Sequence, residues 1–317
     1  MATIIEIKGL TKQYGKLTAL NNLNLTVEEG AVVGFIGPNG AGKTTTMRIL
    51  TTLLRPTSGE AYVGGHSVAT EPDQVRRMIG YMPDYFGVYE DMKVWEYLDF
   101  FAACYGVPAS QRIGMIDDLL SLVDLNHKKD DFVENLSRGM KQRLCLARTL
   151  AHDPQVLILD EPASGLDPRA RIEMRELLRE LKSLGKTIFF SSHILSEVAD
   201  VCTSIAILEA GKLIAHGNID EMKKRLRSHQ LIQLKVLGET AAAQKILLES
   251  GLVLQMMVGA EYDLPAGTVR FDFSGNDQEL SQLLAQMMKA DIPIISFSEE
   301  TGNLEDVFLH VTQGIVQ

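Results

Sequence analysis

The chain has 317 residues, 45% of them hydrophobic and 23% charged, and a formal net charge of −10. That length exceeds most single domains and predicts two, while the composition is that of an ordinary globular protein without low-complexity tracts. No apolar run approaches the roughly 20 residues that span a bilayer, and the alternating start Met-Ala-Thr-Ile-Ile-Glu-Ile-Lys lacks the long apolar core of a secretory signal. A cytosolic compartment is expected. Cys104, Cys145 and Cys202 are odd in number and widely spaced, so neither a disulfide framework nor a metal site is indicated. They are expected to be small buried hydrophobes.

In chain order, the first segment alternates as a strand and leads to Tyr14, a ring that taken singly would more often pack than bind. Ala-Val-Val-Gly-Phe-Ile at 31–36 is a short apolar run suited to a buried strand. Gly37-Pro38-Asn39-Gly40-Ala41-Gly42-Lys43-Thr44 follows and satisfies G-x-x-x-x-G-K-[ST]. From Thr45 to residue 54, apolar residues recur at helical spacing. Strand, glycine loop and helix together are the context in which backbone N–H groups turn inward as an anion nest at a helix N-terminus. The pattern predicts ATP as ligand, with Lys43 reaching the β- and γ-phosphates and the Thr44 hydroxyl on Mg²⁺.

Further along, Ser137 is a good N-cap, Gly139 permits close backbone approach, and a helix is predicted through Leu144, Leu146, Ala147 and Leu150. A capped helix start is by itself a weak anion-site signal. Val-Leu-Ile-Leu-Asp-Glu at 156–161 reads as a buried parallel strand whose C-terminal end delivers two carboxylates into a crevice. Asp160 suits Mg²⁺, directly or through water. Glu161, one residue on, points differently and can polarise an attacking water. His193 follows Thr-Ile-Phe-Phe-Ser-Ser and, taken singly, is as easily a structural histidine.

The combination of these segments resembles the ATPase subunit of ATP-binding cassette (ABC) transporters over about residues 3–225. Leu136-Ser137-Arg138-Gly139-Met140 is similar to that family's signature, Asp160-Glu161 to its Walker B pair, Ser164-Gly165-Leu166-Asp167 to its D-loop and His193 to its switch histidine. Tyr14 sits where the family keeps an aromatic ring against adenine. The resemblance implies a head-to-tail homodimer, or a paired ABC subunit, with each ATP between one phosphate loop and the other subunit's Ser137 and Gly139. It implies Glu161 as general base or water-positioner and His193 as holder of the γ-phosphate and water. It also implies an exporter of the ABC-2 type at the cytoplasmic face of the membrane, with its membrane-spanning permease on a separate chain.

Two positions depart from the family. Asp84 stands where a glutamine usually touches Mg²⁺, and a shorter anionic side chain would bind the metal more strongly through water yet donate no hydrogen bond. Arg138 and Met140 replace a glycine and a glutamine of the signature. Residues 85–150 match the family's helical subdomain; Trp95, Leu98 and Phe101 at helical spacing are expected in its core, and Tyr85, Phe86 and Tyr89 on its docking surface.

The fold expected is α/β: a P-loop NTPase ABC cassette over 1–228, with an antiparallel N-terminal β part and a mixed sheet, then a small α+β ferredoxin-like domain over 229–317. Strands at 231–236, 252–258, 269–273 and 293–297 with helices at 240–250 and 278–289 fit that module, and a last helix is expected over 303–311. The tail is favoured as a dimerisation element over a ligand or regulator site. Residues 229–317 hold 4 Lys and Arg against 12 Asp and Glu, leaving 27 against 29 in residues 1–228. An acidic tail argues against nucleic acid as a partner. The basic run at 223–228 reads as a solvated helix end in preference to a lipid contact. The other function class, a soluble non-transport ABC ATPase acting on ribosomes or DNA, usually carries two cassettes or long basic or coiled-coil insertions, and none is present here.

Overall fold

The computed structural model describes residues 2–85, 87, 89, 91–194, 198, 200–219, 230–259 and 264–300, which fall into two compact units dividing after Ile219. Phe86, the basic run at 223–228 and the helix expected over 303–311 lie outside the described residues.

The first unit opens with β1 (Thr3–Tyr14), β2 (Leu17–Glu28), β3 (Val32–Ile36) and helix α1 (Lys43–Leu50). Next come β4 (Ser58–Val63), β5 (His66–Ser67), α2 (Pro72–Met78) and β6 (Ile79–Met82). A helical stretch follows, α3 (Val94–Cys104), α4 (Ala109–Leu122) and α5 (Arg138–Leu150). The unit continues through β7 (Val156–Leu159), α6 (Pro168–Ser183), β8 (Thr187–Ser192), β9 (Ser204–Glu209) and β10 (Lys212–Asn218).

Two sheets result, one antiparallel in the order β2-β1-β4-β5 and one mixed in the order β10-β9-β3-β8-β7-β6. β3, β7 and β8 are buried along their whole length, as expected of apolar parallel strands covered on both faces. The sheets share a core that includes Ile5, Leu10, Leu23, Met47 and the rings of Phe35 and Phe189, whose centroids lie 5.0 Å apart. The pairings β6 with β7, β7 with β8 and β8 with β3 are all parallel. Those strands therefore end at one edge of the sheet. Asp84 follows β6, Asp160 and Glu161 follow β7, His193 follows β8 and the phosphate loop follows β3, at the edge where open α/β sheets bind ligands.

Two expectations about the helices and one about the cysteines are corrected. α1 stops at Leu50 and does not run to residue 54, because Thr52 takes a left-handed φ of 63° that ends a right-handed helix. α3 buries Val94, Tyr97, Leu98 and Ala102, a stripe at i, i+3, i+4 and i+8. Trp95 and Phe101 flank that stripe and are only half-buried, Phe101 with the Arg148 guanidinium 4.9 Å from its ring centroid. Of the cysteines only Cys145 is fully buried; Cys202 is half-buried, and Cys104, off the α3 stripe, is exposed. Tyr85 and Tyr89 are exposed, as a docking surface requires.

The second unit runs β11 (Gln230–Val236), α7 (Ala241–Glu249), β12 (Val253–Val258), β13 (Thr268–Phe273), α8 (Asp277–Lys289) and β14 (Ile294–Glu300). Its sheet order is β12-β13-β11-β14, with every neighbouring pair antiparallel. This is the ferredoxin-like arrangement. Alternate residues Ile232, Leu234 and Val236, with Val269, Phe271 and Phe273, meet Ala243, Leu247, Leu283 and Met287 of the two helices in a separate core. α8 begins at a capping box: Asn276 Oδ1 accepts from the Gln278 and Glu279 backbone N–H groups at 3.0 Å, and Glu279 accepts from Asn276 N–H at 2.8 Å.

Candidate active site

The phosphate loop leaves β3 and enters α1 through Gly42, which has φ 105° and sits at the N-cap. A Cβ there would lie 2.6 Å from the Ala19 carbonyl oxygen, so this left-handed, crowded position needs glycine. No side chain caps α1 and its first turn carries no acid, which leaves the N-terminal N–H groups and the dipole for an anion. Lys43 is 6% exposed and folds back over the loop, donating to the Gly37 carbonyl at 2.7 Å and lying 3.4 Å from Glu161 Oε1.

Asp160, 1% exposed, accepts from Ser191 Oγ at 2.7 Å through Oδ1. Its Oδ2 is buried with no hydrogen-bond partner, and an orphaned carboxylate oxygen at a site edge asks for a cation or an ordered water. Ser191 Oγ also accepts from the Glu161 N–H at 2.8 Å. Glu161 has φ 49°, a conformation that costs a non-glycine residue energy and clusters at functional sites. From that turn its two oxygens face Lys43 and, at 2.8 Å, His193 Nδ1. Lys43, Glu161 and His193 thus form one chain of polar contacts across the site. With Nδ1 bonded to the carboxylate, His193 Nε2 is left for a ligand.

Lys43, Glu161 and His193 line one cleft of about 420 Å³, while Asp160 and Ser191 are buried behind it and are not among its lining residues. Residues 38–45 of the loop and its helix line it, including Thr44 and Thr45, together with Tyr14, Asp84, Glu161, Ser164 and His193. Tyr14 stands at its rim, half exposed, with Lys12 Nζ 5.1 Å from the ring centroid. Desolvation, and then the charges of Asp160 and Glu161, push the Asp84 carboxyl above the ordinary aspartate range. The neighbouring carboxylates of Asp84, Asp160 and Glu161 repel one another, which again favours a cation. Among the described residues no three His, Cys, Asp or Glu side chains are grouped to hold a metal unaided.

Ser137 and Gly139 are not among the residues that line this cleft. Ser137 is exposed and caps α5, accepting from the Met140 N–H at 3.3 Å. A Cβ on Gly139 would lie 3.1 Å from Ala170 Cβ, so the close approach it permits is to the start of α6. Two residues escaped the sequence reading. Ser191 is the hub between Asp160 and Glu161, and Gln142, buried on α5, donates to the Pro162 carbonyl at 2.5 Å and anchors the turn after β7. A serine inside the apolar strand run, and a glutamine on the buried face of a helix, are the available signals. Ser191→Ala is expected to lower kcat about 10- to 100-fold, the size of a small misplacement of a reacting group, with little change in KM; steady-state phosphate release checks this, and an unchanged kcat would count against the hub.

The family described as "ABC transporter" matches residues 20–164, and "ATP-binding protein DrrA1-3-like, C-terminal domain" matches residues 217–312. The chain is 36% identical over 317 residues to the bacitracin transport ATP-binding protein BcrA of Bacillus licheniformis, covering 99% of each chain. It is 34% identical over 312 residues to the Nod factor export ATP-binding protein I of Ralstonia nicotianae, covering 98% of this chain and 94% of that one. Among solved structures, an ATP-binding subunit of an ABC transporter superposes with a TM-score of 0.64 at 32% identity, over 71% of this chain and 94% of that one. A dimeric, post-hydrolysis ATP-binding cassette bound to ADP and Pi superposes with a TM-score of 0.62 at 26% identity, over 68% and 99%. Similarity that runs the length of both chains, on a fold whose strand ends converge on a phosphate loop, settles the family: this chain belongs to the ABC transporters, as an ATP-binding ATPase subunit of the exporter type.

Proposed function

We propose that two copies of this chain close around two ATP molecules and that their opening and closing drives a membrane-spanning subunit on a separate chain. The observation that carries this reading is that Ser137 and Gly139, unlike Lys43, Glu161 and His193, do not line the nucleotide cleft. An exposed helix start that does not line its own chain's cleft is available to a second copy's nucleotide. In each site Lys43 leaves the Gly37 carbonyl for the β- and γ-phosphates, loop N–H groups surround the phosphates, and Tyr14 stacks on the base. Glu161 orients and deprotonates the attacking water. His193, held by Glu161, keeps the γ-phosphate and that water in register. Such positioning and charge stabilisation is most of what phosphoryl transfer requires. Thr44 and Asp160, with Asp84 through water, would hold Mg²⁺, which would neutralise the charge developing on the β- and γ-oxygens.

No helix among the described residues is long and apolar enough to cross a membrane; in this reading the chain works as a peripheral subunit at the cytoplasmic face, on the strength of its similarity to transporter ATP-binding subunits. The relatives named for bacitracin transport and Nod factor export are about equally similar, so identity at this level selects no cargo, and cargo recognition is assigned to the membrane subunit. Purification from membranes is expected to recover a multi-span protein bound to this chain, and reconstitution of the pair to stimulate ATP turnover. Recovery of ribosomal proteins in its place would contradict the transport reading.

Asp84 supplies a prediction with a definite sign. Its raised pKa means that the native state holds the proton more tightly than the unfolded chain, so stability falls as pH rises through the window just above the ordinary aspartate range. Asp84→Asn is therefore expected to raise the melting temperature of the nucleotide-free chain at neutral pH and to flatten its dependence on pH in that window. Asp84→Gln is expected to shift the Mg²⁺ titration of hydrolysis. Unchanged pH and metal profiles would place Asp84 outside the metal site.

A further inference from the structure

The two ends of the proposed dimer site meet inside one chain at Arg138. This residue stands beside Ser137 at the first turn of α5, yet its side chain reaches the turn after β7. Arg138 Nη2 donates to the Ser164 carbonyl at 3.2 Å. A Cβ added to Gly165 would lie 2.3 to 2.7 Å from the guanidinium atoms of Arg138, so the flat cation rests on a glycine platform that has φ 66°. No other residue type leaves that space. The same turn continues into the active site: Ser164 N–H donates to the Glu161 carbonyl at 3.0 Å, and Ser164 itself lines the cleft. Arg138 is also near enough for its charge to draw down the pKa of Asp84, against the larger effects that raise it.

We infer that Arg138 is a positioning residue that couples the two nucleotide sites, by clamping the helix start that closes on the partner's ATP to the Ser164–Gly165 turn that sets Glu161 in its own cleft. The inference rests on the proposed ATP-bridged dimer. Closure of Ser137 and Gly139 over the partner's γ-phosphate fixes the start of α5, and through the guanidinium it fixes the carbonyl of Ser164 and the turn that carries Glu161. Each site then becomes competent when the other is occupied. A lysine keeps the charge, but it has neither the planar fork nor the ability to lie flat on Gly165.

The test uses the full-length chain and steady-state ATPase rates across ATP concentration. Wild type is expected to respond sigmoidally. Arg138→Ala is expected to give a hyperbolic response and a kcat lower by about 10-fold or more, the scale of a misplaced catalytic group, with its melting temperature little changed. Arg138→Lys should restore only part of the cooperativity. Gly165→Ala drives a methyl into the guanidinium and should reproduce the Arg138→Ala loss of cooperativity; because φ 66° at that position also strains an alanine, the double variant is judged on cooperativity, where adding Gly165→Ala to Arg138→Ala should change little, since both changes break one contact. Cooperativity retained in Arg138→Ala, or fully additive effects in the double variant, would overturn the inference while leaving the dimer standing. A wild-type chain that hydrolyses ATP as a monomer without cooperativity would overturn both.

Discussion

Glutamine in place of Glu161 is expected to lower ATP turnover by about 10² to 10⁴-fold, the contribution of a positioned general base, while ATP binding persists or tightens. The substitution is nearly isosteric, so an amide oxygen can keep the contact with Lys43, which lies 3.4 Å from Glu161 Oε1. Proton acceptance is lost, and with it the capacity to activate water. Glu161 shares its end of the cleft with Asp84 and Asp160. Neutralising one of these carboxylates removes repulsion against the incoming γ-phosphate, which is why affinity is not expected to fall. Single-turnover hydrolysis and equilibrium binding of a labelled ATP analogue separate the two effects. Turnover within a factor of a few of wild type would remove Glu161 from the chemistry.

The second large effect is on binding. Lys43→Ala is expected to weaken ATP by about 2 to 5 kcal/mol, or roughly 30- to 4,000-fold, as truncating one partner of a buried charge pair does. Lys43 is 6% exposed and Glu161 11%, so the lysine also offsets a carboxylate with little water around it. Its removal leaves Glu161 with His193 alone, and burial of an uncompensated charge is costly. Lys43→Ala should therefore lower the melting temperature of the nucleotide-free chain as well as its affinity, and Lys43→Ala with Glu161→Gln should recover the stability but not the binding. Calorimetric titration and thermal unfolding of the single and double variants check this. ATP affinity unchanged in Lys43→Ala would exclude the phosphate loop as the binding site.

Contiguous features were the legible ones. The phosphate loop is a run of backbone N–H groups with a lysine at a fixed offset, and Asp160 and Glu161 end an apolar run, so local pattern alone locates them. The second unit was legible from its order of strands and helices, because hydrophobic periodicity marks β11 to β14 and the two helices between them. Tyr14, Ser137 and His193 carried no decisive local signal and were reached through family resemblance. Ser191 and Gln142 were invisible because their role is a tertiary contact: Ser191 acts through the register of β7 against β8, and Gln142 through the packing of α5 on the turn after β7. The same holds for Trp95 and Phe101. Helical spacing says that one face of α3 is buried, but which residues centre that face depends on α5 beside it, where Arg148 holds Phe101 at the edge. Arg138 is the sharpest case. From the sequence it is a departure from a motif, and the side chain that replaces glycine there spans to Ser164 and Gly165.

In the proposed dimer ATP is bound between the phosphate loop of one copy and the Ser137 helix start of another. Sedimentation of the Glu161→Gln chain with and without Mg-ATP tests it most directly. The expected result is a monomer without nucleotide, twice that mass with ATP, and a return to monomer when Ser137→Phe is added to block the helix start while each chain still binds ATP through its own loop. A Glu161→Gln chain that binds ATP and remains monomeric, or a dimer indifferent to Ser137→Phe, would contradict it.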